Sequence, residues 1–260
     1  MKSHILGLIL SFGVALSPIY AKDAAQSGIP VKSGQTIAFL GDSITANGAR
    51  PGGYCQRVLE GLKKEGVEAS GIFAGVSGNK SNDMLERLDK DVISKKPQWM
   101  TLSCGVNDVW HFKLRLGKRT FKGVSLEDYK KNITAIIDKA QAANIKVMVL
   151  TSTMIGEDPA RELNQNLKPY NEFLRTIAKE KHCLLADLNT DMQEALKKIP
   201  DVEGRTVMFG EPQNSGKVKN KLTSDGCHPN ALGNIMMARG ILKAFGVPEA
   251  KLPAIKPEQK

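Results

Sequence analysis

No two of the four cysteines, Cys55, Cys104, Cys183 and Cys227, lie close together in the chain. The short ligand spacings of a structural zinc site are therefore missing, and no metal or other cofactor is expected. There is no glycine-rich loop ending in Lys-Ser or Lys-Thr, so the usual phosphate cradle is absent and phosphoryl transfer is a poor reading. Past the N-terminus no apolar run approaches the ~20 residues that cross a bilayer. No internal repeat is visible. Lysine and arginine outnumber aspartate and glutamate, 37 to 27, for a net charge of +10. Yet no basic run is interleaved with aromatics, which argues against a nucleic-acid partner. The lysines alternate with acids in GLKKEGVE, RLDKDVISKK and LEDYKKN, each the pattern of a solvated helix face. The surplus charge would suit an acidic polysaccharide or another anionic surface.

What is present begins with a leader. Lys2 precedes an apolar segment, Ile5 to Leu16, broken only by Gly7, Ser11 and Gly13, and Ser17 to Ala21 offers a cleavage region. This is the plan of a secretory signal peptide over residues 1–21, cut after Ala21, and it predicts a secreted or periplasmic protein. The segment is too short for a membrane anchor, so no stable membrane insertion is expected. One domain over 22–247 is long enough for a substantial core. A tail, 248–260, carries Pro248, Pro253 and Pro257 and reads as extended. An oxidising compartment permits disulfides, and four cysteines allow three pairings, none favoured by the sequence. Cys104 and Cys183 stand in apolar, strand-like contexts and read as small core residues.

Apolar strands and amphipathic helices alternate. Strands are expected at Thr36–Leu40, Ala69–Ala74, Trp99–Cys104, Lys146–Ser152 and Cys183–Asp187. Helices are expected at Tyr54–Lys64, Ser81–Ser94, Leu126–Ala143 with Ser125 as its cap, Leu167–Lys181, Asp191–Ile199 and Asn230–Phe245. This order predicts an α/β fold, a five-stranded parallel sheet with helices on both faces. Ligands in such folds sit beyond the carboxyl ends of the strands. Three polar stretches occupy those places: Gly41-Asp-Ser43, Gly75-Val-Ser-Gly-Asn-Lys-Ser81 and Gly105-Val-Asn-Asp108. The polar stretch Pro200–Leu222 reads as a loop, either a flap beside the site or surface decoration.

Ser43 is either a helix cap or a nucleophile. A serine hydroxyl is weak near neutral pH and needs a base. Of the histidines beyond the leader, His182 follows a charged run at a helix end and reads as solvated. His111 follows the third loop and is within reach of a substrate. His228 sits in Ser224-Asp-Gly-Cys-His-Pro-Asn230, where one tight turn brings Asp225 to its ring. Acyl transfer also needs donors for a developing oxyanion. The Ser43 N–H, the Gly78 N–H and the Asn107 amide are candidates; taken singly, Gly78 reads better as a helix-entry turn and Asn107 as an Asx turn, and their placement after three successive strands changes the balance. Asp42 and Asp108 read as carboxylates that bond loop backbone. Trp110, His111 and Phe112, with Asn79, are candidate cleft residues, and an aromatic face there would suit a sugar ring.

GDSIT, SGNKS, GVND and DGCHPN, in that order, resemble the SGNH (GDSL-type) esterase and lipase family over about Thr36 to Phe245. The resemblance implies a flavodoxin-like three-layer α/β/α sandwich. It implies Ser43 as nucleophile, His228 as base and Asp225 as its orienting acid, with Ser43, Gly78 and Asn107 as the oxyanion hole. The Gly-x-Ser-x-Gly elbow of ordinary α/β-hydrolases is absent. The expected activity is a secreted serine esterase releasing small acyl groups, acetyl above all, from a small-molecule or carbohydrate ester. The alternatives are a lipase, lysophospholipase or thioesterase, which would need an apolar acyl groove, and a non-catalytic glycan-binding domain on the same fold.

Overall fold

The computed structural model describes residues 28–116, 119–209 and 217–255. The expected leader and its cleavage point, residues 1–21, lie outside them. In chain order the elements are β1 (Thr36–Gly41), α1 (Ser43–Gly48), α2 (Tyr54–Lys64), β2 (Ser70–Gly75), α3 (Ser81–Asp91), β3 (Trp99–Ser103), α4 (Val106–Trp110), a short antiparallel hairpin of β4 (Arg115–Leu116) and β5 (Arg119–Thr120), α5 (Leu126–Ala142), β6 (Lys146–Leu150), α6 (Glu162–Glu180), β7 (Leu184–Ala186), α7 (Leu188–Lys198) and α8 (Ala231–Ala244).

β2, β1, β3, β6 and β7 form one parallel sheet in that order. α2, α7 and α8 pack together, and α3, α5 and α6 pack together, giving the expected three layers. A parallel sheet covered on both faces needs strands apolar at every position. β1 meets this with Ile37, Ala38, Phe39 and Leu40, all fully buried, beside Met100 and Leu102 of β3. The larger of these side chains each contribute roughly 1.5–3 kcal/mol by leaving water.

The strand order reverses direction at β1, with β2 on one side and β3 on the other. That is the switch point at which such sheets open a crevice. Register levels the strand ends there, since Gly41 lies beside Gly75 and Leu40 beside Leu102. The three polar stretches therefore leave the sheet at one height. Gly105 makes the turn after β3 at φ +133°, and a Cβ there would lie 2.3 Å from Ser152 Oγ. Only glycine fits that corner.

The expected elements are present with shifted ends, and three short ones are new. α1, α4 and the β4–β5 hairpin had no counterpart in the sequence pattern. α6 begins at Glu162 rather than Leu167, with Pro169 inside it. Asn164 fixes that extra turn, accepting from the Ile155 N–H and donating to the carbonyls of Gly156 and Asp158. α7 starts three residues early because Asp187 caps it and is gripped by Arg175. The tail is not wholly extended: Glu249–Lys251 make a 3₁₀ turn and Leu252 is buried. All four cysteines are free thiols. Cys104 is core, whereas Cys183 is half-buried beside Gln141.

Candidate active site

Ser43 is the first residue of α1, immediately past β1. Its cap is Asp42, whose Oδ1 accepts the Ile44 N–H at 2.8 Å. The side chain most often credited to a capping serine is thus supplied by its neighbour, and the Ser43 hydroxyl is released for other work. It meets His228 Nε2 at 2.8 Å. His228 Nδ1 meets Asp225 Oδ2 at 2.7 Å, while Asp225 Oδ1 accepts the N–H groups of Cys227 and His228 at 3.1 and 2.8 Å. The predicted turn therefore folds the carboxylate onto both the ring and its backbone.

Electrostatics follow from these contacts. The hydrogen bond to Asp225 raises the His228 pKa above its ordinary value, outweighing partial burial, which lowers it. For Asp225, partial burial raises the pKa, but the hydrogen bonds from the His228 ring and backbone hold it below the usual carboxylate value. A hydroxyl, a neutral imidazole and a carboxylate in this line form a proton relay from oxygen to ring.

The three candidate oxyanion donors line the same cleft as Ser43 and His228. Gly78 stands at φ +80° in the loop after β2. Among the described residues, no acceptor is bound to the N–H of Ser43 or of Gly78. Asn107 lies in α4, buried, and donates Nδ2–H to the Asn79 carbonyl at 3.0 Å. Its other proton has only a long 3.4 Å contact with Asp42 Oδ2. Asp42 is itself buried, which pushes its carboxyl up to about 6 against the lowering effect of the Ile44 N–H. Asp108 accepts the Ser81 N–H at 3.0 Å and so ties α4 to the start of α3; burial raises its pKa too.

Ser43, Gly78, Asn79, Asn107, Trp110, His111 and His228 line one open cleft of roughly 780 Å³, the size range of small-molecule sites. His111 is buried against Phe121, and burial, with Lys80 nearby, lowers its pKa to about 4, so it is neutral at physiological pH. Phe112 is not part of this wall; it is 55% exposed elsewhere. Trp110 is buried edge-on against Phe209, ring centroids 5.5 Å apart, and Phe209 presents the exposed ring in the cleft. His182 is exposed, at positive φ just past α6.

Several residues escaped the sequence pattern. Phe209 lies in the polar 200–222 stretch and donates its N–H to the Asp225 carbonyl at 2.8 Å. Glu157 accepts the N–H groups of Lys221, Leu222 and Thr223 at 2.6–2.8 Å, clamping the chain just before Asp225. Arg87 opens the RLDKDVISKK run, yet its side chain is only 14% exposed, which corrects the reading of that run as wholly solvated. Nothing in spacing marks a lone loop acid or one arginine among charged neighbours. Among the described residues no group of His, Cys, Asp or Glu is placed to hold a metal. Nor is any described helix long and apolar enough to cross a membrane.

Comparisons with known proteins bear on the fold and the family. The model of the GDSL-like Lipase/Acylhydrolase family matches residues 39–234. An acetylxylan esterase of Geobacillus stearothermophilus is 26% identical over 232 residues, 83% of this chain and 96% of that protein. The crystal structure of an acetyl xylan esterase, AlAXEase, is 35% identical with TM-score 0.66, over 80% of this chain and 98% of that one. The crystal structure of Axe2, an acetylxylan esterase from Geobacillus stearothermophilus, gives 26% identity and TM-score 0.69, over 84% and 97%.

Proposed function

The chain belongs to the GDSL-like lipase/acylhydrolase family and is a carboxylic ester hydrolase, and from that premise we propose that it is a secreted serine esterase releasing small acyl groups, chiefly acetyl, from carbohydrate. The observation that carries the chemistry is the unbroken line from Ser43 Oγ through the His228 ring to Asp225, with contacts of 2.8 and 2.7 Å. His228 Nε2 takes the hydroxyl proton as Ser43 Oγ attacks the acyl carbonyl. The N–H groups of Ser43 and Gly78 and the Asn107 amide hold the oxyanion that forms. His228 then protonates the leaving sugar oxygen, and the acyl-Ser43 ester remains. Water, deprotonated by the same ring, releases the acid and restores the serine.

Two things support a small acyl group on a sugar. The relatives above are named acetylxylan esterases. The cleft mixes polar side chains with apolar surface and presents one exposed ring, Phe209, a surface suited to a sugar face. The leader pattern at Ile5–Leu16 supports export.

A series of p-nitrophenyl esters from acetate to decanoate, with Ser43→Ala as control, tests this reading. The expected result is a rate that peaks at acetate and falls about 10³-fold or more in the variant, the scale of losing a triad nucleophile. A peak at octanoate would move the substrate to lipids or thioesters. Activity retained by Ser43→Ala would end the serine mechanism.

A further inference from the structure

Arg87 sits on α3 outside the wall of the cleft, yet two of the three nitrogens of its guanidinium reach loops that carry the site. Nε donates to Asn79 Oδ1 at 2.6 Å, one terminal nitrogen donates to the Gly41 carbonyl at 2.8 Å, and the other to Asp91 Oδ2 at 2.9 Å. Gly41 closes β1 two residues before Ser43, and its carbonyl also accepts the Val76 N–H at the start of the Gly78 loop. Asn79 follows Gly78, and its carbonyl receives the Asn107 amide. One largely covered cation is therefore joined to the backbone ahead of Ser43, to the loop of Gly78 and, through Asn79, to Asn107. These are the three donors of the oxyanion hole, and they come from three separate strand ends.

We propose that Arg87 is a positioning residue that holds the three oxyanion donors in one geometry; this rests on the serine-esterase reading of the site. Such donors work only if they already stand about 2.7–3.1 Å from where the oxyanion will form. Loops after different strands have no covalent reason to keep that alignment. A planar guanidinium fixes bond directions as well as distances, which an ammonium cannot. The Arg87–Asp91 pair alone does not account for the arrangement, since an ion pair at this partly exposed position is worth little.

The test compares Arg87→Met, Arg87→Lys and Asp91→Asn by acetyl ester hydrolysis and by labelling with diisopropyl fluorophosphate. In labelling, a Ser43 Oγ–P bond forms, the P–F bond breaks, fluoride leaves and the hydroxyl proton passes to His228. The phosphoryl oxygen then occupies the oxyanion hole. Both Arg87 variants should lower kcat about 10- to 100-fold, less than the ~10²–10³ of losing a direct donor, with KM little changed and labelling slowed in step. Arg87→Lys keeps the charge, so it isolates the fork and serves if Arg87→Met does not fold. Asp91→Asn should stay near wild type.

In an Asn107→Ala background, Arg87→Met should cost much less than it does alone, because the two act on one arrangement. Wild-type rates in both Arg87 variants, or the same full cost in that background, would overturn the proposal. A wild type that is labelled but cleaves no acetyl ester would remove the acetyl reading and leave this inference to stand or fall by the labelling rates. A wild type that neither labels nor hydrolyses any ester would remove both.

Discussion

His228 acts as a base only while its ring is neutral. Asp225 raises the ring's pKa, so the active fraction declines as pH drops through a value above the ordinary 6.5. The acid limb of kcat/KM, which reports the free enzyme, should therefore bend above 6.5. Asp225→Asn removes the carboxylate and should move that limb downward while lowering kcat by as much as ~10⁴-fold, the scale of disrupting a triad's orienting acid. An unmoved limb would mean that another group controls it. Asp42 is the group to separate from it, because burial pushes its carboxyl from 3.8 up to about 6. The folded state holds this proton more tightly than the unfolded chain, so stability falls as pH rises between about 4 and 6. Asp42→Asn keeps an oxygen for the Ile44 N–H and discards the buried charge, at the expense of the long Asn107 contact. It should be more resistant to urea than wild type at pH 8 by on the order of 1–3 kcal/mol, with the gap closing below pH 4. A gap that ignores pH would show that the charge is not its source.

At the scale of elements, what was legible was what has a period. β1 and β6 are mostly apolar and β3 is buried throughout, even at Thr101 and Ser103, because both faces are covered, and α2 and α5 show their buried stripes plainly. α1 and α4 are too short for any periodicity, 6 and 5 residues, yet they carry Ser43 and Asn107. α6 begins five residues ahead of its expected start, where Asn164 ties the added turn to the preceding loop and Pro169 is accommodated inside the helix. The site's supports were the least legible part. Glu157 comes after β6 as an ordinary loop acid, and only the fold reveals that it gathers three successive N–H groups. Glu157→Ala would leave those donors without their acceptor at about 1–3 kcal/mol for each one that water cannot reach. The expected outcome is lower stability, faster amide exchange at Lys221, Leu222 and Thr223, and a kcat that falls more than KM rises as His228 loses its fixed position. Unchanged exchange at those three amides would show that the clamp does not hold the loop.

At the scale of the molecule, the site exists only because the sheet reverses its strand order at β1. Ser43 and His228 are 185 residues apart in the chain and 2.8 Å apart in the fold. No spacing rule predicts that pairing; three polar blocks beyond strand ends, with a fourth leading into α8, made it legible together. Charge is a property at this same scale. The chain carries a net +10, and among the described residues many of its lysines stand in exposed ion pairs with acids, such as Lys131–Glu127 and Lys197–Glu194. Dispersed charge acts on encounter and not on chemistry, and it is screened beyond about 8 Å at physiological salt. An acetylated polysaccharide bearing uronic acids should therefore lose kcat/KM as salt rises from about 0.02 to 0.5 M, through KM alone. A neutral acetylated polysaccharide should show a flat response, and kcat should be level for both. Initial rates of acetate release from the two polymers measure this. Parallel curves would mean that the basic surface takes no part in finding substrate, and that selection lies wholly within the cleft around Phe209 and Trp110.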